Sequence, residues 1–113
     1  MLNYYLCFVY LRIDQVDVIL KSPLTPPDQA IVAQRIGSIY PLVFLELDVE
    51  FRTIRDVQYR ERFMIPIVKE LLREWCQNNP NNNSVGRVLN VMSHYGLPTT
   101  EVEERIRKRH KVG

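Results

Sequence analysis

Met64, Ile67, Val68, Leu71, Leu72 and Trp75 recur at i, i+3, i+4, i+7, i+8 and i+11. That spacing makes a wide apolar stripe at the helical period. Lys69, Glu70, Arg73 and Glu74 fall off it. Pro66 has no N–H to give, so it belongs in the first turn, and the pattern predicts a helix over Phe63–Gln77. A stripe that broad must be covered by other elements, and a chain of 113 residues has room for one core. Trp75, at the end of the stripe, is expected inside that core together with Leu71 and Leu72.

The rest of the chain supplies further helices to cover it. Lys21–Pro27 holds three of the seven prolines and breaks the chain. Thr25 is then a candidate cap for a helix that has Pro26 in its first turn and Asp28 near its positive end. Ile31, Val32 and Ile36 give this helix its apolar face, and Gly37 ends it. Ser38 is a candidate cap for a second helix, with Pro41 in its first turn. Tyr40, Val43, Phe44 and Leu47 lie on its one face, and Asp48 marks its end. Val49–Gln58 reads as a third helix, with Phe51, Ile54 and Val57 inward and Arg52, Arg55 and Asp56 outward. The helix of the stripe is fourth. Within it Glu70 and Arg73 form an i, i+3 pair that offsets the stacking of like charges.

Asn78–Asn83 is a loop by composition. Its Asn82-Asn83-Ser84 has the form of a glycosylation acceptor, which a cytosolic chain leaves unused. Ser84 is expected to cap a fifth helix that buries Val85, Val88, Leu89, Met92 and Tyr95, and Gly96 ends it. Thr100-x-x-Glu103 has the form of a capping box for a sixth helix. That helix is acidic at its start and basic at its end, in agreement with the macrodipole. No segment beyond the first twenty residues alternates as a strand would, so the expected fold class is all-α.

Residues 1–23 read as an N-terminal extension or accessory helix, and residues 24–113 as the main domain. The apolar run Met1–Leu11 is about half the length of a membrane span. It lacks the basic flank and cleavage site of a signal peptide. Ile13, Val16, Ile19 and Leu20 then suggest a helix, with a strand through Val16, Val18 and Leu20 as the alternative. Cys7 and Cys76 show no metal or disulfide spacing and read as reduced, buried thiols of a cytoplasmic protein.

Three stretches together resemble the death domain family. The first is Ile36-Gly37-Ser38-Ile39-Tyr40 with Val43, Leu47, Val49 and Ile54, similar to the family's segment from the end of helix 1 to helix 3. The second is Leu71-Leu72-Arg73-Glu74-Trp75, similar to its leucine-rich fourth helix with a terminal Trp. The third is Ser84-Val85-Gly86-Arg87-Val88-Leu89 with Tyr95-Gly96-Leu97, similar to helix 5 and the turn into helix 6. The match runs from about Leu24 to Lys111. The chain departs from the pattern at Tyr40, where Trp is usual, at Phe44, where a small residue is usual, and at Pro41 and Pro66. The Trp at the end of the fourth helix favours the death-domain branch over the related caspase-recruitment domains.

The resemblance implies a six-helix antiparallel Greek-key bundle. It implies an adaptor-type role in apoptotic or innate-immune signalling, through homotypic binding to other death domains and self-association. It places interaction surfaces on helices 1 and 4, on helices 2 and 3, and on the loops around helices 4 and 5. The candidate surface residues are Arg52, Arg55, Asp56, Arg62, Lys69, Glu70, Arg73, Asn81, Asn82 and Arg87. The candidate core residues are Tyr40, Leu47, Ile54, Leu71, Leu72, Trp75, Val88 and Leu89.

Catalysis needs a nucleophile with a base in reach, paired carboxylates or a metal. His94 and His110 stand apart in sequence, Cys76 follows the core Trp75, and Gly86 is isolated, so no catalytic, metal or cofactor site is expected. The net charge is +2, from 15 Lys and Arg against 13 Asp and Glu, too small to imply a polyanionic or membrane partner. The competing reading is a small helical nucleic-acid-binding domain that uses the basic run Arg105-Ile106-Arg107-Lys108-Arg109-His110-Lys111.

Overall fold

In the computed structural model, which describes residues 18–112, Trp75 stands at the centre of the packing that the stripe demands. The described chain has a single helical turn, Val18–Lys21, and then six longer helices: α1 (Pro26–Ile36), α2 (Tyr40–Glu46), α3 (Phe51–Arg60), α4 (Met64–Asn78), α5 (Val85–His94) and α6 (Thr99–Val112). A short 3-10 segment, Gly37–Ile39, joins α1 to α2. Among the described residues there is no strand, and the fold is an all-α bundle. The run Met1–Leu11, Cys7, Ile13 and Val16 lie outside the described residues.

The helix α4 buries Ile67, Val68, Leu71, Leu72 and Trp75, and Trp75 is 1% exposed. Val32, Ala33 and Ile36 of α1, Tyr40, Val43 and Phe44 of α2, and Ile54 and Val57 of α3 close over it. Val88, Leu89 and Met92 of α5 and Val102 and Ile106 of α6 complete the same core. Tyr40 keeps its hydroxyl satisfied by accepting from Gln58 Nε2 at 2.7 Å. This bond ties α2 to α3. Pro66 lies in the first turn of α4, where its missing N–H costs nothing.

Several local expectations are corrected. Ser38 does not cap α2. Gly37, with φ of 75°, turns the chain into the 3-10 segment, and α2 begins only at Tyr40, after Ile39. Thr25 occupies the N-cap of α1, but its hydroxyl donates to Asp28 Oδ2 at 3.0 Å rather than accepting from the backbone. The capping box at Thr100 does not form. The helix α6 starts at Thr99, which puts Thr100 inside the first turn, and Glu103 accepts from Arg107 Nε at 3.0 Å. Ser84 does cap α5, accepting from Arg87 N–H at 3.2 Å.

Two stripe positions also point outward. Phe51 is 60% exposed and Met64 41% exposed. Each is the first residue of its helix, so its side chain lies beyond the edge of the core although its phase is right.

The turn Val18–Lys21 packs on α5. Val85 N–H donates to Ser22 O at 2.9 Å, and Leu24 N–H donates to Asn83 O at 2.9 Å. A Cβ on Gly86 would come within 3.0 Å of Leu20 O, so the bare glycine lets the turn approach the helix this closely.

Candidate interaction surface

The phase that turns Ile54 and Val57 inward turns Arg52, Arg55 and Asp56 to solvent on α3. Arg62 follows in the connector to α4 and is also exposed. Among the described residues, no hydrogen bond or ion pair reaches the side chains of Arg52, Arg55 or Arg62. Beside them stand two aromatic side chains at the α3–α4 corner, Tyr59 at 94% and Phe63 at 71% exposure. Sequence reasoning did not single these out. The signal was present, because Tyr59 lies two residues past inward-facing Val57, on the opposite side of the helix.

On α4 the i, i+3 pair forms. Arg73 Nε donates to Glu70 Oε2 at 3.0 Å, and Arg73 Nη2 also pairs with Glu70 Oε1. The guanidinium holds the Glu70 carboxyl below the usual carboxylate range. Lys69, Glu70 and Arg73 share a groove of about 480 Å³ between α1 and α4, with Gln29, Glu61 and Ile65.

Asn81 and Asn82 are exposed in the loop before α5. Asn82 and Arg87 border another cleft, with Lys21 and Glu46. Arg87 is tied inward: its Nη2 is 3.5 Å from Asp48 Oδ2, and its guanidinium lies 6.0 Å from the centroid of the Trp75 ring. The structure therefore distributes the candidates over several faces. Arg52, Arg55, Asp56 and Arg62 share α3 and its exit, Lys69, Glu70 and Arg73 share α4, and Arg87 belongs with Asp48.

The basic run of α6 is drawn into the protein's own pairs. Arg105 faces Glu101 at 3.9 Å, and Arg107 takes Glu103. Arg109 Nε donates at 2.8 Å to Asp28 Oδ1, on a carboxylate that is 0% exposed. His110 Nε2 lies 3.2 Å from Asp28 Oδ2. Burial pushes the Asp28 carboxyl up, but the hydrogen bonds of Arg109, His110 and Thr25 outweigh it and leave the group below its ordinary value.

Cys76 and His94 have different partners. The Cys76 thiol donates to Leu24 O at 3.5 Å, and burial pushes it up to about 11, which makes it a poor nucleophile. His94 pairs with Glu46. Among the described residues no three His, Cys, Asp or Glu side chains group as metal ligands, and no helix is long and apolar enough to cross a membrane. No family model matches the chain, and neither a curated protein nor a solved structure matches it.

Proposed function

We propose that the chain is a protein–protein interaction module of the death-domain type, which works by homotypic association as an adaptor in cytoplasmic apoptotic or innate-immune signalling. The observation that carries this reading is the trio Arg52, Arg55 and Arg62, exposed and unpaired within the described residues beside exposed Tyr59 and Phe63. Arginine and tyrosine are the residue types that anchor protein interfaces. The ordered motifs and the six-helix all-α bundle support the same reading, for which the Greek-key order is the expected topology. Contact between unlike patches on successive copies does not close on itself and builds an open assembly.

The nucleic-acid reading has less support, because three α6 arginines already face carboxylates of the same chain. Light scattering over a concentration series tests the proposal. Arg52→Glu with Arg55→Glu is expected to weaken self-association by about tenfold or more, since reversed charges oppose the partner patch. Helical content by circular dichroism should not change. Unchanged association with an intact fold would remove α3 from the interface.

A further inference from the structure

A cleft of about 340 Å³ opens between the α2–α3 connector and the end of α4, and its lining includes Asp48, Glu50, Glu74, Trp75, Asn78 and Asn79. Its buried member, Trp75, has an indole N–H with no acceptor among the described residues. Glu74 Oε2 is also buried and accepts no hydrogen bond from the described residues. Arg60 Nη2 stands 3.8 Å from it, an ion-pair separation too long for a hydrogen bond. Buried polar groups in native proteins nearly always find partners, so the Trp75 donor, without one among the described residues, points to a guest in the adjoining cleft that supplies an acceptor. Asp48, on the rim, has φ of 65° and takes the left-handed position that ends α2, where Val49 N–H donates to Phe44 O at 2.9 Å.

The lining fixes the chemistry of the guest. The three carboxylates repel an anion; Asp48 and Glu74 already face Arg87 and Arg60, and Glu50, without a cation partner among the described residues, favours one further cation rich in N–H donors. The Trp75 N–H needs a carbonyl oxygen. An arginine residue within a peptide has both, a planar fork of five donors and a main-chain carbonyl. The protein already places one guanidinium against this pair of residues: Arg87 lies over the Trp75 ring and reaches Asp48 from the α5 side.

We propose that this cleft is a receptor for an arginine side chain presented by a second copy of the chain. Charge complementarity names the source, because Arg52 and Arg55 of α3 and Arg62 at its exit are exposed and have no partner within the described residues. The identity of the source rests on the homotypic reading, whereas the chemistry of the cleft does not.

Trp75 is the only tryptophan in the chain, so its indole N–H gives a single ¹H–¹⁵N signal. In the first arm, the labelled chain is titrated with N-acetylarginine amide and, separately, with N-acetylglutamine amide. A saturable shift of that signal is expected with the arginine amide, with binding about tenfold weaker for the uncharged amide and weakened by salt. Glu50→Gln with Glu74→Gln should abolish it. A silent signal, or equal response to both amides, overturns the cleft.

In the second arm, labelled Arg52→Glu/Arg55→Glu/Arg62→Glu chain, whose cleft is intact, is mixed with unlabelled Glu50→Gln/Glu74→Gln chain, whose arginines are intact. One productive junction remains, so the two should form a 1:1 dimer and move the Trp75 signal. If the native chain self-associates and this mixture does not, the second-copy source is overturned. A native chain that stays monomeric overturns the homotypic reading and that source together, while the first arm still judges the cleft.

Discussion

At the scale of single residues, Asp28 shows how a charge can be held inside a small domain. Its carboxylate is buried, but Arg109, His110 and Thr25 surround it with hydrogen bonds. Breaking a buried pair by removing one partner costs more than the pair contributes, because the remaining charge keeps its desolvation cost. Arg109→Ala should therefore lower the urea midpoint of unfolding, because it leaves the buried Asp28 carboxylate without its main partner. Asp28→Asn should cost less in the Arg109→Ala background than in the native chain, since the two changes remove the same interaction.

The pH dependence follows from the same site. The folded-state Asp28 titrates below its ordinary value, so its contribution is complete above the unfolded value of about 4 and is lost as pH falls through the lower folded value. Thermal melts between pH 6 and pH 2 should show a steep loss of Tm at the acid end, and Asp28→Asn should flatten part of it. The sequence marked Asp28 only as a favourable charge at a helix N-terminus. Its partner lies 81 residues away, and no local spacing encodes such a distance.

At the scale of elements, five of the six helices follow from periodicity, because each apolar face repeats often enough to define a phase, whereas the sixth was read from a capping box that does not form and from its charge polarity. The all-α fold and the burial of Leu71, Leu72 and Trp75 were legible on that basis. The ends of the helices were not. Ser38, Thr100 and Glu103 satisfy the composition of caps, yet Gly37 and the start of α6 at Thr99 decide otherwise. Phase does not report depth either, and so Phe51 and Met64 share a phase with buried residues while lying beyond the core edge.

The contrast predicts unequal costs on one helix. Ile54→Ala should cost about 2–5 kcal/mol in chemical denaturation, as for other buried aliphatic truncations. Phe51→Ser should stay within about 0.5 kcal/mol, as for surface changes. Trp75→Ala should cost about 3–5 kcal/mol, a large part of what holds a domain of this size together. Equal costs at Phe51 and Ile54 would mean that Phe51 is packed in solution.

At the scale of the whole molecule, a net charge of +2 conceals an uneven arrangement. The charges of α6 are largely paired within the chain, and Glu70 with Arg73 is paired on α4. Among the described residues the arginines without a partner, Arg52, Arg55 and Arg62, lie on α3 and its exit, while Asp48, Glu50 and Glu74 border the cleft at the end of α4. The outward arginines were legible from helical phase. The acidic cleft was not, because it gathers three carboxylates from the α2–α3 connector and the far end of α4. An assembly built on such patches depends on charges that meet at a solvated interface, and salt screens them over a Debye length of about 10 Å at 0.1 M. Raising salt from 0.05 M to 0.5 M should weaken self-association of the native chain, with the main loss in association rate. The Arg52→Glu/Arg55→Glu chain should show a weaker response or the opposite one. Self-association that strengthens with salt in the native chain would instead place the exposed Tyr59 and Phe63 at the centre of the contact, because excluded salts favour apolar burial.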